Sequence, residues 1–214
     1  MKPSALPASR ASFIAVALAA AALTAGCASA PDRYYTLSSA LGGSAAPVAV
    51  GASPLAIELA PLVLPERLAR AQMVVRKNAE GSEVRVLEQH RWAASFEIEL
   101  RDALASGIAS RLGAVDASRR AQARAWRIAV QVRQFDAVEG SRVDAAFSWT
   151  IRRPDSDSGI TCPWRATEPA GPDIATLAAG AQRMTAALAE AIAQQVRAMQ
   201  IDPKAGCAGR SDAA

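Results

Sequence analysis

The chain has little of what most enzymes use. Its 214 residues include one histidine, His90. A single imidazole excludes metal centres built on several histidines, and any Ser-His-Asp arrangement would have to run through that one ring. No G-x-S-x-G, H-E-x-x-H or Walker-type phosphate loop occurs. Aromatic residues amount to 5%, so the 51% apolar content leans on alanine rather than on large side chains. Long apolar runs are missing too: the stretch from Ala11 to Ala25 is shorter than the roughly 20 residues a membrane-spanning helix needs. The basic surplus is also small. Of 24 lysines and arginines, Lys2 and Arg10 precede the apolar stretch with no acid beside them, which leaves 22 against 20 acids after residue 26. A surplus of two excludes a strong nucleic-acid footprint, which needs clustered cations facing phosphates.

What is present begins with an address. From Ala11 to Ala25, eight of fifteen residues are alanine, joined by Phe13, Ile14, Val16, Leu18 and Leu23. A positive flank, a short apolar run and a small-residue exit form the layout of a secretory signal, expected over residues 1–26. The exit Leu23-Thr24-Ala25-Gly26-Cys27 resembles the lipobox of bacterial lipoproteins, with Thr24 where leucine is usual. That resemblance makes Cys27 the lipidated first residue of the mature chain. The alternative is cleavage after Ala28-Ser29-Ala30, which Pro31 disfavours. Several acyl chains at about 0.8 kcal/mol per buried CH2 suffice for stable anchoring. By resemblance to lipoprotein sorting in enteric-type bacteria, Ala28 after the cysteine implies the periplasmic face of the outer membrane. Cys162 and Cys207 then remain as an even pair in an oxidising compartment, either disulfide-bonded or two inert thiols.

The mature chain reads as an anchored segment and spacer over 27–53, a domain over 54–202 and a tail over 203–214. Asp32 to Leu37 has strand-like content, and the Gly, Ala, Ser and Pro-rich run from Ser38 to Pro54 reads as flexible slack. Leu55 to Leu64 favours a strand bending at Pro61, followed by a turn at Pro65 to Arg70. Gln72 to Lys77 and Glu83 to Gln89 form a hairpin. Phe96, Leu100, Leu104, Ile108 and Leu112 recur every four residues before Gly113, the pattern of an amphipathic helix and its stop. Trp126, Ile128, Val130 and Val132, then Val143, Ala145, Phe147, Trp149 and Ile151, alternate with polar or small neighbours, which predicts paired strands buried on one face. Ile160 to Ala166 reads as another strand, at an edge because of Pro163. A second long helix follows over Ile174 to Met199, with Asp173 as its N-cap. The order predicts an α+β two-layer sandwich: an antiparallel or mixed sheet with two long amphipathic helices packed on one face.

Side chains suited to chemistry are scattered. His90, flanked by Gln89 and Arg91, reads as a surface or capping residue. Asp155-Ser-Asp157-Ser-Gly159 opens like a calcium loop but lacks the late glutamate, and so reads as a turn. Arg119, Arg120, Arg124 and Arg127 read as a solvated face, with anionic lipid or an acidic partner as the alternative. Glu97 and Glu99 do not share a helical face and form no acid-base pair. Trp126 and Trp149 fall in the apolar phase of strands. Trp92 and Trp164 lack such an assignment and are expected, with Tyr34 and Tyr35, to contact a partner. No metal, cofactor or catalysis is expected.

Cys27, then Tyr34-Tyr35-Thr36-Leu37, then the run from Pro61-Leu-Val-Leu-Pro65-Glu-Arg-Leu68 to Arg76, then Arg91-Trp92-Ala93 opening the first helix, and a final long helix resemble the ABC-type transport auxiliary lipoproteins, the PqiC-like family. The resemblance implies an outer-membrane lipoprotein working with an MCE-domain periplasmic protein and an inner-membrane permease. It further implies phospholipid or other hydrophobic cargo and a homo-oligomer that forms a ring. A lipoprotein scaffold for envelope assembly, with no transport role, is the alternative.

Overall fold

The computed structural model describes residues 31–38, 55–118, 124–156 and 158–207. Cys27, nearly all of the 38–54 run, Arg119, Arg120 and Asp157 lie outside the described residues. In chain order the strands are β1 (Arg33–Tyr35), β2 (Ala56–Leu59), β3 (Gln72–Arg76), β4 (Val84–Trp92), β5 (Val115–Asp116), β6 (Trp126–Val138), β7 (Arg142–Arg152) and β8 (Gly159–Pro169). The helices are α1 (Phe96–Leu112) and α2 (Ile174–Ile201), and a 3-10 turn, Glu66–Leu68, precedes β3.

The alternating segments form the centre. Strand β6 pairs antiparallel with β7 along nearly its whole length, and β7 pairs antiparallel with β8. The other edge of β6 is shared: its first residues pair in parallel with β2, and its last two, Ala137 and Val138, pair in parallel with β3. Hydrogen bonds between Val63 and residues 130 and 132 continue the β2 side past Pro61. From β3 the sheet extends through the antiparallel hairpin partner β4 to the parallel edge strand β1, and from β2 to the parallel edge strand β5. The sheet is mixed and open, with both helices on one face, as the sequence predicts.

A bulge interrupts the β6 ladder between Val132 and Gln134. One extra residue reverses the facing of the rest of the strand, so buried Trp126, Ile128, Val130 and Val132 are succeeded in the core by Phe135 and Ala137 rather than by even-numbered positions. Asp136 then points to the other side. It is nevertheless only 8% exposed, because the guanidinium groups of Arg67 and Arg76 donate to its two oxygens at 3.2 and 3.3 Å and the Gln134 amide donates at 2.8 Å. That network ties the 3-10 turn to the sheet and leaves the Asp136 charge paired.

The helix boundaries follow from capping chemistry. Ser95 accepts the Ile98 amide at the start of α1, and Gly113, in the left-handed region at φ 60°, ends it. Asp173 accepts the Thr176 amide at 2.7 Å at the start of α2. Phe96, Leu100, Leu104 and Ile108 of α1 meet Met184, Leu188, Ile192 and Val196 of α2 in one core with the inner face of the sheet. A Cβ on Gly107 would lie 3.1 Å from that of Ala189, so the glycine permits the close helix crossing.

Four expectations need correction. Trp92 and Trp164 are each 4% exposed and belong to the core, not to a contact surface. Trp164 lies in the inward phase of β8 with Ile160 and Cys162, and packs 5.9 Å from Phe147, centroid to centroid. Trp92 packs 5.8 Å from Phe96. Arg91 and Trp92 end β4 rather than opening α1, which starts at Phe96. Finally, the 38–54 run is not slack in a tether: β1 already pairs with β4 before it and β2 belongs to the sheet after it, so it connects two strands of one sheet.

Candidate interaction surfaces

Three places on the fold carry chemistry beyond packing. The first is the β1 edge. Tyr35 stacks on His90 with centroids 5.8 Å apart and planes 12° from parallel, and its hydroxyl lies 2.9 Å from His90 Nδ1. His90 is thus a lateral support for β1 within β4. Tyr34 projects outward, 62% exposed, and Arg91 reaches the Asp32 carboxylate at 3.8 Å. Beyond the strand, Glu99 of α1 accepts from Thr36 Oγ1 at 2.8 Å and from the Leu37 amide at 2.9 Å. Gln182 of α2 donates to the Thr36 carbonyl at 2.7 Å. Leu37, 2% exposed, plugs into the core. Of the two tyrosines expected to meet a partner, Tyr34 is available and Tyr35 is engaged inside the fold.

The second place is the C-terminal end of α2. Cys162 and Cys207 are joined by a disulfide with Cα atoms 5.6 Å apart. The Gln195 amide, fully buried, donates to the Gly206 carbonyl at 3.1 Å. The tail up to Cys207 is therefore fastened across the start of β8. In the turn between β7 and β8, the Arg153 side chain pairs with Asp155 at 2.6 Å and holds its carboxyl below the ordinary aspartate value. This pairing accounts for Asp155, while Asp157 of the same turn lies outside the described residues.

The third is a cavity of about 550 Å³ between β8 and α2, lined among others by Trp164, Ala166, Glu168, Ala187, Glu190 and Gln194. Its carboxylates are committed: Arg111 and Arg197 each donate to Glu190 at 2.9 Å, and Arg183 donates to Glu168 at 3.3 Å. An arginine-paired carboxylate acts as a hydrogen-bond acceptor, so these acids hold β8 and the two helices together around the cavity. Among the described residues no cluster of three or more His, Cys, Asp or Glu side chains is placed to hold a metal ion. Arg124 and Arg127 stand near the start of β6, with Arg127 3.9 Å from Glu58.

Sequence reasoning missed Glu99 and Gln182, which hold the segment after β1 across more than sixty residues of chain. Glu99 reads locally as a first-turn acid facing the helix N-terminus, and nothing nearby in sequence marks its distant partner.

These features define a class: an α+β domain on an open mixed sheet, with the cavity glutamates paired to arginines and with β1 and the segment up to Cys207 held to the fold. Among the described residues no helix is long and apolar enough to cross a membrane. The family model described as the ABC-type transport auxiliary lipoprotein component matches residues 35–193, and the chain belongs to that family. Two solved structures share the fold. An uncharacterized protein aligns with a TM-score of 0.63 at 18% identity, over 78% of this chain and 99% of its own. A protein from Xanthomonas campestris aligns with a TM-score of 0.57 at 16% identity, over 75% of this chain and 94% of its own. No curated protein matches the chain.

Proposed function

We propose that this protein is an outer-membrane-anchored, periplasm-facing, non-enzymatic component of an envelope transport system. In this reading residues 1–26 are the export signal, Cys27 carries the acyl chains, and the domain receives an MCE-domain protein that an inner-membrane permease serves. Phospholipid or another hydrophobic molecule is the cargo, and copies of the chain assemble around the end of the bridge.

The observation that carries the reading is the auxiliary-lipoprotein domain, matched over 35–193, lying directly behind a lipobox-like cysteine. Anchoring supports function by raising the local concentration of the domain at one membrane. The site chemistry is consistent with a binding role, since the acids around the cavity are locked by arginines. The domain extends past its expected limits, because β1 and the tail through Cys207 are both part of the fold.

Co-purification after crosslinking from the envelope tests the reading, with the wild-type chain compared against Cys27→Ala. An MCE-domain partner recovered with the lipidated chain, and several-fold less with the variant, is the expected result. An acylated chain that crosslinks to no such partner overturns the transport role in favour of an envelope scaffold.

A further inference from the structure

We infer that the protein stands on the bilayer with the β3–β4 hairpin end of its sheet toward the lipid, so that Val84 and Val86 sit in the headgroup layer. This rests on the proposal that Cys27 carries the anchor. The occupant of this surface is the phospholipid bilayer itself.

The argument starts from the length of chain between anchor and fold. Because β1 is in the sheet, the tether is the run from Cys27 to Arg33 and not the longer run after β1. Six residues of fully extended chain span at most about 20 Å. Arg33 is in register with His90, and β1 runs parallel to β4. The chain therefore enters β1 from the end at which β4 begins, the end where the hairpin turns. Val86 precedes His90 by four residues and Val84 by six, which spans at most about 13 and 20 Å because the β3–β4 register shifts within this stretch. Both are within reach of a surface to which Cys27 is fixed.

Side chains at this end suit an interface. Val84 and Val86 are 46% and 39% exposed, and they occupy alternate positions of β4, opposite Arg76 and Val74, so they share one face. The cations at the hairpin, Lys77 and Arg85, are paired with Glu83 and Glu139, each at 3.1 Å. Contact consequently depends on the anchor and on apolar side chains, not on anionic lipid.

The opposite end of the sheet lies on the other side of the point where the chain enters β1, away from the direction of the tether. Strand β6 has 13 residues, about 40 Å at the usual rise. Its last residue, Val138, pairs with Arg76 at the hairpin. Its first residue, Trp126, shares a cavity wall with Met199 and Pro203, which flank Ile201. Ile201 is 88% exposed and so is an equally apolar marker for the far end.

The test uses full-length lipidated protein in phosphatidylcholine vesicles containing headgroup nitroxide lipid, with a fluorophore at Val86→Cys or at Ile201→Cys. Quenching at least threefold stronger at position 86, unchanged by high salt, is expected. Equal quenching, or stronger quenching at position 201, in a chain whose mass shows an acylated Cys27 and which floats with the vesicles, overturns the orientation and leaves the anchor intact. A chain whose mass shows unmodified Cys27 and which does not float overturns the anchor and the orientation together.

Discussion

The chain enters and leaves its sheet by opposite means. At the N-terminal end, β1 offers three residues to a single neighbour, and the attachment depends on Leu37 in the core and on side chains of both helices reaching Thr36 and Leu37. At the C-terminal end a disulfide joins fully buried Cys162 to exposed Cys207. The N-terminal attachment is a sum of small reversible terms and opens locally, whereas the C-terminal one is covalent and opens only with its redox state. In a chain held at Cys27 the reversible end is also the one under load. The difference teaches that β1 is the weaker attachment, and with the anchor proposed at Cys27 its opening would set how freely the domain moves at the membrane.

Leu37→Ala is the strongest way to break this contrast. Truncating a leucine that is 2% exposed is expected to cost about 2–5 kcal/mol. Denaturant melts would report the global loss, and hydrogen exchange would show residues 33–38 opening first. A loss below about 1 kcal/mol would mean that Leu37 is not the plug.

Removing the disulfide, by Cys162→Ala with Cys207→Ala, acts on the other end. The bridge closes a loop between cysteines 45 apart in sequence, and bridges of this kind are worth about 2–4 kcal/mol. Urea midpoints should fall, and amides of residues 202–207 should exchange faster while those of β1 keep their protection. Equal acceleration at both ends would show that the two attachments are one cooperative unit and dissolve the distinction.

How far the fold is legible depends on the range of the signal. The β6–β7 pair, both helices, the Gly113 stop and the Asp173 cap are local: period and capping chemistry are visible within a few residues. Strands β1 and β2 fall inside the stretches Asp32 to Leu37 and Leu55 to Leu64 that read as strands, but their parallel pairings are chosen across long crossovers, and β5, with two residues, carries no measurable period. Reading 38–54 as tether slack stems from that blindness, since composition identifies a loop but not what it connects. Trp164 had an inward phase with Ile160 and Cys162, obscured by Pro163 between them. The bulge at Arg133 concealed why Phe135 is buried. In the candidate site, the tyrosines were visible as a pair, yet their opposite facing came only from the register with β4.

The mildest expected effect concerns Glu99, and it separates charge from geometry at the N-terminal end. One oxygen of this carboxylate receives both the Thr36 hydroxyl at 2.8 Å and the Leu37 amide at 2.9 Å. Glu99→Ala removes both acceptor contacts and leaves a half-buried backbone donor without its partner, at about 1–3 kcal/mol. Glu99→Gln keeps an oxygen in place that accepts the same two donors without the negative charge, so its cost should stay under about 1 kcal/mol. Hydrogen exchange at the Leu37 amide resolves the pair: acceleration by about tenfold to a hundredfold is expected for the alanine variant and by less than about fivefold for the glutamine variant. Similar acceleration in both would place the stabilisation in the charge, and no acceleration in either would return the hold on β1 to Leu37 and the tyrosine-histidine stack.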